Sequence, residues 1–164
     1  MMKPKTHFRN ETSGFTFIEI LIMLALVGVL ITVVVLDYSG AKARSRNDTR
    51  NAAVKTLRDY VEIFYSQNTY YPSLSDMNNP SWIALNLKGV KQSMYADPSW
   101  TAHNKACTQN GEPILIRKSQ PGCYGYNPTN SGVSCETNDT SCSDYTITAT
   151  LEAGEGVYTL RQLD

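Results

Sequence analysis

One carboxylate, Glu19, lies at the start of a long apolar run, and residues 20–36 after it carry no charge. Because removing an isolated carboxylate from water is costly, a buried Glu19 needs a positively charged partner. Two simpler roles stay open, since the side chain could reach a polar interface or stabilise the positive N-terminus of a helix. Glu19 is therefore the first candidate for a specific interaction.

Four cysteines form the second group that could do chemistry. They lie in the C-terminal third without any Cys-x-x-Cys pair, and the chain has only two histidines, His7 and His103. Zinc sites favour short paired spacings, so the pattern disfavours zinc and indicates two disulfides in an exported domain. Of the three possible connectivities we predict pairing between neighbours. The predicted pairs are Cys107 with Cys123 and Cys135 with Cys142.

Several polar groups are weaker candidates because none has the spacing of a defined site. Asn138, Asp139 and Asp144 could ligate calcium but fit no calcium-binding loop. Residues 47–49 and 138–140 match glycosylation acceptors, which often arise by chance. A basic cluster after the apolar run could contact DNA or anionic lipid, although a solvated helix face or ion pairs between subunits explain it more simply. The cluster is Lys42, Arg44, Arg46 and Arg50.

A catalytic constellation is not evident in the sequence. His103 is the only histidine after the apolar run, and the chain has neither a nucleophile elbow nor a phosphate-binding loop. Scattered carboxylates such as Asp97, Glu112 and Glu136 have no assignable acid and base roles. We therefore predict a protein that is not an enzyme and needs no metal or cofactor. A membrane-tethered enzyme is the distant alternative.

The composition shows that these candidates belong to two unlike parts of the chain. The 164 residues carry 15 basic and 15 acidic side chains, which disfavours a collagen-like, disordered or strongly basic nucleic-acid-binding protein. Apolar residues are concentrated at one end, where they make up 18 of the 22 residues from 15 to 36. About 20 apolar residues in a helix cross roughly 30 Å of hydrocarbon. We predict a transmembrane or filament-core segment over 15–36.

A cleaved secretory signal peptide is the rival interpretation of the N-terminus. Ala41-Lys42-Ala43 has the small-x-small form of a signal cleavage site. The apolar run, however, is longer than the usual 7–15 residues and contains Glu19. A count of basic residues would place the C-terminal side in the cytoplasm, whereas the cysteines indicate export. We follow the cysteines.

Apolar periodicity predicts an α+β fold. Residues 54, 57, 61 and 64 form a helical stripe, and no proline lies between Pro4 and Pro72. We predict one helix over about 15–66, roughly 75–80 Å long, whose C-terminal half packs on a small antiparallel sheet. A head over residues 37–164 is too small to cover such a helix, so half of it must contact something else. We also predict a short helix over 80–87 and strands at 114–116, 124–126, 145–151 and 157–160.

The segment from Ser13 to Glu19 resembles the processing site of type IV prepilins and the related pseudopilins. Its features are a short basic leader that ends in glycine, then phenylalanine, then a glutamate four residues further on, then an apolar helix. The resemblance implies a leader over 1–14 that a prepilin peptidase cuts between Gly14 and Phe15. Because Gly14 has no side chain, a protease can approach its backbone closely.

The resemblance also implies what happens after cleavage. Phe15 would be N-methylated, and its new ammonium group would pair with Glu19, preferably between neighbouring subunits. Many family members have a proline that kinks the apolar half of the helix, and this chain has none there. Gly28 and Thr32 are the remaining candidates for a bend.

The resemblance implies a structural subunit of a type IV pilus, an extracellular fimbrium used in adhesion and twitching motility. Its partners would be copies of itself, the prepilin peptidase, the assembly platform and ATPase, and the cytoplasmic membrane before assembly. DNA is a conceivable partner without support in the sequence. The alternatives are a type II secretion pseudopilin or a minor or competence pilin. Asp97-Pro98-Ser99-Trp100 loosely resembles a pseudopilin segment, whereas four cysteines suit a pilin head.

Overall fold

The computed structural model describes residues 14–135 and 139–163, without the side chains of residues 33–37. The predicted leader before Gly14 therefore lies outside the described residues, as do Glu136 and Asn138. The chain divides after Ser39 into two compact units. The helices come first and the strands afterwards, so the elements are segregated along the chain and the predicted α+β class is confirmed.

A single helix, α1 (Phe17–Asn68), occupies the N-terminal part of the described chain. It continues through Gly28, Thr32 and Gly40 without interruption, because no proline removes a backbone donor. It ends where Thr69 adopts a left-handed conformation with φ 67°. The predicted bounds of 15–66 were therefore two residues early at each end.

Part of the predicted membrane segment, residues 33–36, lies outside the residues whose side chains are described. Within the described part of the chain, no helix has a stretch that is both long and apolar enough to cross a bilayer.

Two short helices and a 3-10 turn follow α1, and side chains cap both helices. Ser73 and Asp76 form a reciprocal capping box around α2 (Leu74–Met77), which satisfies two backbone donors. Asn79 caps α3 (Pro80–Asn86), which begins with proline at its first position, where no backbone donor is needed. The predicted helix over 80–87 is thus confirmed to within one residue. The 3-10 turn covers Gln92–Tyr95.

In the described part of the chain, six strands form two antiparallel sheets. The small sheet pairs β1 (Thr108–Gln109) with β2 (Glu112–Pro113). The larger has the order β4-β3-β5-β6. Its strands are β3 (Gly125–Asn130), β4 (Val133–Ser134), β5 (Asp144–Thr150) and β6 (Val157–Arg161).

The predicted strand over 114–116 is wrong. The chain pairs earlier, at β2, and Ile116 makes only an isolated bridge to Gly125. The reason is the turn between β1 and β2, where Asn110 and Gly111 both have positive φ angles, of 53° and 83°. Such a two-residue turn determines the register of the strands on either side of it. Asn-Gly is a strong hairpin signal that our prediction did not use.

The core is built on the alternation of β5. Tyr145, Ile147 and Ala149 are completely buried, as their period-two spacing predicts, and Leu151 beyond the strand is only partly buried. One apolar cluster contains these side chains and the predicted stripe of α1, namely Val54, Leu57, Val61 and Phe64. The backbone of Gly125 is closely packed as well. A Cβ atom added there would overlap Thr148 Oγ1 and lie 2.6 Å from the Ser119 backbone nitrogen.

Candidate functional site

Glu19 closes the N-terminus of its own helix. Its Oε2 accepts hydrogen bonds from the backbone nitrogen and from Oγ1 of Thr16, both at 2.9 Å. Thr16 Oγ1 in turn accepts from the Glu19 nitrogen at 3.3 Å. Thr16 and Glu19 thus form a capping box, which satisfies two donors that the first turn leaves unpaired. Of the three roles considered for Glu19, the described chain shows stabilisation of the helix N-terminus.

The Thr16-x-x-Glu19 spacing is itself the sequence signal for a capping box, and our prediction did not use it. The second carboxylate oxygen of Glu19, Oε1, makes none of the described hydrogen bonds. Because a carboxylate can accept about four hydrogen bonds, the box leaves Glu19 able to bind a cation as well.

The predicted cleavage site is accessible in the described part of the chain. Phe15 is 72% exposed, and a Cβ added at Gly14 would meet no heavy atom within 4 Å. The apolar side chains after it are exposed too, since the large ones from Phe15 to Ile31 are between 45% and 78% exposed. A contiguous apolar surface of this kind is characteristic of residues that contact another molecule or lipid.

All four cysteines are in disulfides with the predicted pairing. Cys107 is joined to Cys123 and Cys135 to Cys142, with Cα separations of 5.8 Å and 6.0 Å. Their sulfurs are therefore not thiolates that could bind zinc. The cluster of Cys135, Asp139 and Cys142 is explained by its disulfide in the same way.

Among the described residues, the weaker candidates for calcium and catalysis form no shared group of ligands. Asp139 accepts hydrogen bonds from the backbone and hydroxyl of Ser141, and Asp144 accepts from the Tyr145 nitrogen. His103 and Glu112 are exposed and make none of the described side-chain hydrogen bonds. Asp97, which was also considered for catalysis, accepts hydrogen bonds from an arginine.

That arginine, Arg50, is the centre of a buried charged cluster. Only 1% of the residue is exposed, although it lies on α1 among predicted surface residues. Its Nε and Nη2 donate to the two carboxylate oxygens of Asp97 at 2.7 Å and 2.9 Å. Its Nη2 also donates to Ser99 and its Nη1 to Asn47. Two parallel bonds from one guanidinium to one carboxylate are the strongest arrangement available to this pair.

The same cluster attaches the loop between β5 and β6 to α1. Glu152 in that loop accepts from Arg50 Nη2 at 2.7 Å and forms a bidentate ion pair with Arg46. Asn47 accepts a bond from the Glu152 backbone nitrogen at 2.9 Å and donates to Glu155 at 3.1 Å. Residues more than 100 positions apart are thereby joined by charged and polar bonds.

Hydrogen bonding displaces the pKa values of the cluster. Burial by itself raises the pKa of Asp97, but the bonds from Arg50 and Ser99 outweigh it and hold that pKa below its usual value. Hydrogen bonds from Arg46 and then Arg50 lower the pKa of Glu152 to about 2. The bond to Asp97 raises the pKa of Arg50, against the opposing effect of burial. The charged side chains of the cluster are therefore all ionised at neutral pH, namely Arg46, Arg50, Asp97 and Glu152.

These contacts correct two sequence-based interpretations. Arg50 cannot contact DNA or lipid because it is buried, and Arg46 is half-buried against Glu152. Only Lys42 and Arg44 of the basic cluster are exposed. Asn47, in the tripeptide that matches a glycosylation acceptor, is 3% exposed and uses its amide nitrogen within the cluster. A glycan at this position is incompatible with the fold.

The sequence also contained a signal that Asn47 and Arg50 lie on the buried side of α1. Positions 47, 50, 54, 57, 61 and 64 continue the helical stripe in steps of three and four. Polar residues at the end of an apolar stripe indicate a buried polar cluster, provided that partners exist elsewhere in the chain.

We expect the cluster to make the fold sensitive to acid. Unfolded Glu152 has a pKa near 4.5, whereas its folded value is about 2. Between these values the unfolded chain binds more protons, so this stabilisation is complete above about pH 5 and is lost as the pH falls towards 2. Glu152→Gln should cost roughly 1 kcal/mol at pH 7, because the pair is partly exposed, and should flatten the acid limb of a plot of Tm against pH.

Glu112→Gln is the matched control, because it removes an exposed carboxyl group outside the described ion pairs. Acid limbs of equal steepness in Glu152→Gln and the wild type would contradict the expectation.

Comparison with known proteins finds no match to the chain among family models, curated proteins or solved structures.

Proposed function

We propose that the protein is the structural subunit of a type IV pilus filament. The observation that carries the proposal is an exposed apolar helix surface that begins directly after Gly14-Phe15 and contains one carboxylate, Glu19. A head domain cannot bury this surface by itself when all sides of the helix are apolar. Packing against the same segment of other subunits buries it and produces a filament.

We infer that before assembly the apolar segment is held in the cytoplasmic membrane. Lipid and neighbouring helices are equally apolar, so hydrophobic burial gives little preference for assembly. Close helix packing and polar interactions must provide that preference. Glu19 is the polar group available in the segment, and it favours an arrangement in which it meets a positive charge.

Cleavage after Gly14 would provide that charge. It converts the amide of Phe15 into an ammonium group, next to the Thr16–Glu19 capping box. Oε1 of Glu19 makes none of the described hydrogen bonds. It can therefore accept a hydrogen bond from the ammonium group of a neighbouring subunit while Oε2 keeps its contacts to Thr16. Pairing between subunits then determines the axial register of the helices, because a shift of either helix separates the charges.

We infer that the C-terminal half of α1 packs on the larger sheet to form the head. Their buried residues belong to one apolar cluster. In addition, the Tyr145 hydroxyl on β5 donates to Glu62 Oε1 on α1 at 2.6 Å. Two disulfides suit a head that is exported and lies on the outside of a filament. The prepilin peptidase, the assembly platform and its ATPase are the other partners that this function requires.

A pseudopilin or a minor pilin is the second candidate within the same family. The likeness of Asp97-Pro98-Ser99-Trp100 to a pseudopilin segment favours it, and Asp97 has a structural role as the partner of Arg50. Electron microscopy of cells labelled with antibody against the head distinguishes the candidates. Long labelled filaments indicate a major pilin, and short or rare labelled structures indicate the alternative.

Mass spectrometry of the mature N-terminus tests the proposal directly. We expect the chain purified from its native membrane to begin at N-methylated Phe15. An intact leader would contradict the proposal, as would a chain beginning at Arg44, because that start corresponds to signal-peptide cleavage after Ala43.

A further inference from the structure

Asn110 and Gly111 form the turn between β1 and β2, and they are the only Asn-Gly pair in the sequence. Both residues are exposed, and a Cβ added at Gly111 would meet no heavy atom within 4 Å. Asn110 also lines an open groove of about 550 Å³, so water reaches its side chain. The turn is therefore accessible to a reaction between an asparagine side chain and the backbone nitrogen that follows it.

The two groups that would react are unpaired in the described part of the chain. Neither the side-chain amide of Asn110 nor the backbone nitrogen of Gly111 makes a hydrogen bond to another described residue. By contrast, every other described asparagine except Asn51 uses its side chain in a hydrogen bond. Asn51 lies within α1, where backbone nitrogens are held by the hydrogen bonds of the helix. Among the described asparagines, Asn110 is thus the one that is exposed and free to turn towards the next nitrogen.

We propose that Asn110 is a site of spontaneous deamidation, in which the chain supplies the nucleophile and water is the co-reactant. The lone pair of the Gly111 nitrogen is delocalised in the peptide bond, so hydroxide must first remove its proton. The nitrogen then forms a bond to Cγ of Asn110. The bond from Cγ to the side-chain nitrogen breaks, and this nitrogen takes a proton from water, leaves as ammonia and regenerates the hydroxide. The product is a cyclic succinimide.

Water opens the succinimide at either of its two carbonyl carbons. Attack at Cγ breaks the bond from Cγ to the Gly111 nitrogen and gives aspartate. Attack at the main-chain carbonyl carbon breaks its bond to the same nitrogen and gives isoaspartate, whose main chain is longer by one methylene group. The longer main chain disrupts the pairing of Gln109 with Glu112. Both products add a negative charge to the turn.

The turn between β3 and β4 provides an internal control. Asn130 begins it, and Ser131 and Gly132 follow with positive φ angles of 52° and 82°. Here Nδ2 of Asn130 donates to Ser141 Oγ at 3.1 Å, and the next residue is serine and not glycine. Because this hydrogen bond must break before Cγ can meet the next nitrogen, we expect Asn130 to react at least about fivefold more slowly than Asn110.

Peptide mapping of the full chain tests the proposal. The folded protein is incubated in mildly alkaline buffer, reduced and digested with trypsin, and a sample without incubation gives the baseline. Cleavage after Lys105 and Arg117 gives a peptide in which Asn110 is the only asparagine. We expect aspartate and isoaspartate at Asn110, formed faster at higher pH. Isoaspartate is the decisive product, because direct hydrolysis of the side-chain amide gives only aspartate.

Asn110→Gly is the matched variant, because Gly-Gly also suits a two-residue hairpin turn and has no side-chain amide. We expect its Tm to equal that of the wild type and its 106–117 peptide to gain no mass. The reaction uses only residues of one hairpin, so the result is independent of the proposed filament function.

Four results would overturn the proposal. Asn110 could stay intact in the folded chain and react only after unfolding in urea, which would show that the turn protects it. Asn130 could react as fast as Asn110. Aspartate could accumulate at Asn110 without isoaspartate. Finally, the mass gain could persist in Asn110→Gly, which would assign the reaction to Gln109.

Discussion

Replacing Arg50 with methionine should lower the free energy of unfolding by about 3–5 kcal/mol, because Asp97 is then left buried without a counter-charge. Methionine keeps much of the volume of the arginine stem, so the loss reports the charge more than the packing. Asp97 retains only its bonds to Ser99. Urea denaturation monitored by circular dichroism measures the change.

Arg58→Met is the matched control on the same helix. Arg58 pairs with Asp59 at 3.6 Å, and the Asp59 side chain is 63% exposed, so this variant should lose less than about 1 kcal/mol. The double variant Arg50→Met/Asp97→Asn should recover part of the loss, since a carboxamide has no charge to leave uncompensated. A loss at Arg50 no larger than that at Arg58 would show that the buried pair is not critical for stability.

Replacing Glu19 with glutamine should reduce filament formation at least tenfold if its charge pairs with the Phe15 ammonium, since the expected loss is several kcal/mol per subunit. Glutamine can still accept hydrogen bonds from Thr16, so the capping box is retained. The variant therefore removes the charge and keeps the cap. Sheared filaments are quantified against total membrane-bound subunit, with the mature N-terminus checked by mass spectrometry.

The reciprocal variant, Thr16→Ala, removes the cap and keeps the carboxylate. Loss of an N-cap residue costs about 1 kcal/mol of helix stability, so we expect this variant to assemble nearly as well as the wild type. Filament loss in Thr16→Ala with normal filaments in Glu19→Gln would contradict the ion pair and assign Glu19 to the cap alone. Both variants must contain equal amounts of processed subunit. A difference in filament number then reports assembly and not cleavage.

Much of the local structure was predictable because it depends on residues close together in the chain. The long helix follows from a continuous sequence without proline, and α3 from Asn79 and Pro80 at its start. The strand over 145–151 follows from strict alternation. The small hairpin was mispredicted because Asn110-Gly111 was not taken as its turn, so the strand was placed two residues too late. The two residues of the turn would have been sufficient to predict the position of this strand.

The candidate site was predictable in part. Glu19 stood out in the sequence as a carboxylate in an apolar run, and its role in assembly stays a prediction, whereas the Thr-x-x-Glu spacing contained its local partner. The disulfide pairing was also predicted correctly from the order of the cysteines.

The sequence by itself determined that apolar residues are concentrated in one helical segment and polar residues in the rest of the chain, because hydropathy and periodicity act over a few neighbouring residues. The helical stripe includes Arg50, but only the tertiary structure decided that Arg50 is buried against opposite charges. Its partners Asp97 and Glu152 lie 47 and 102 positions away. A buried charge is tolerated only where it is paired with opposite charges, and this pairing depends on how distant segments of the chain pack.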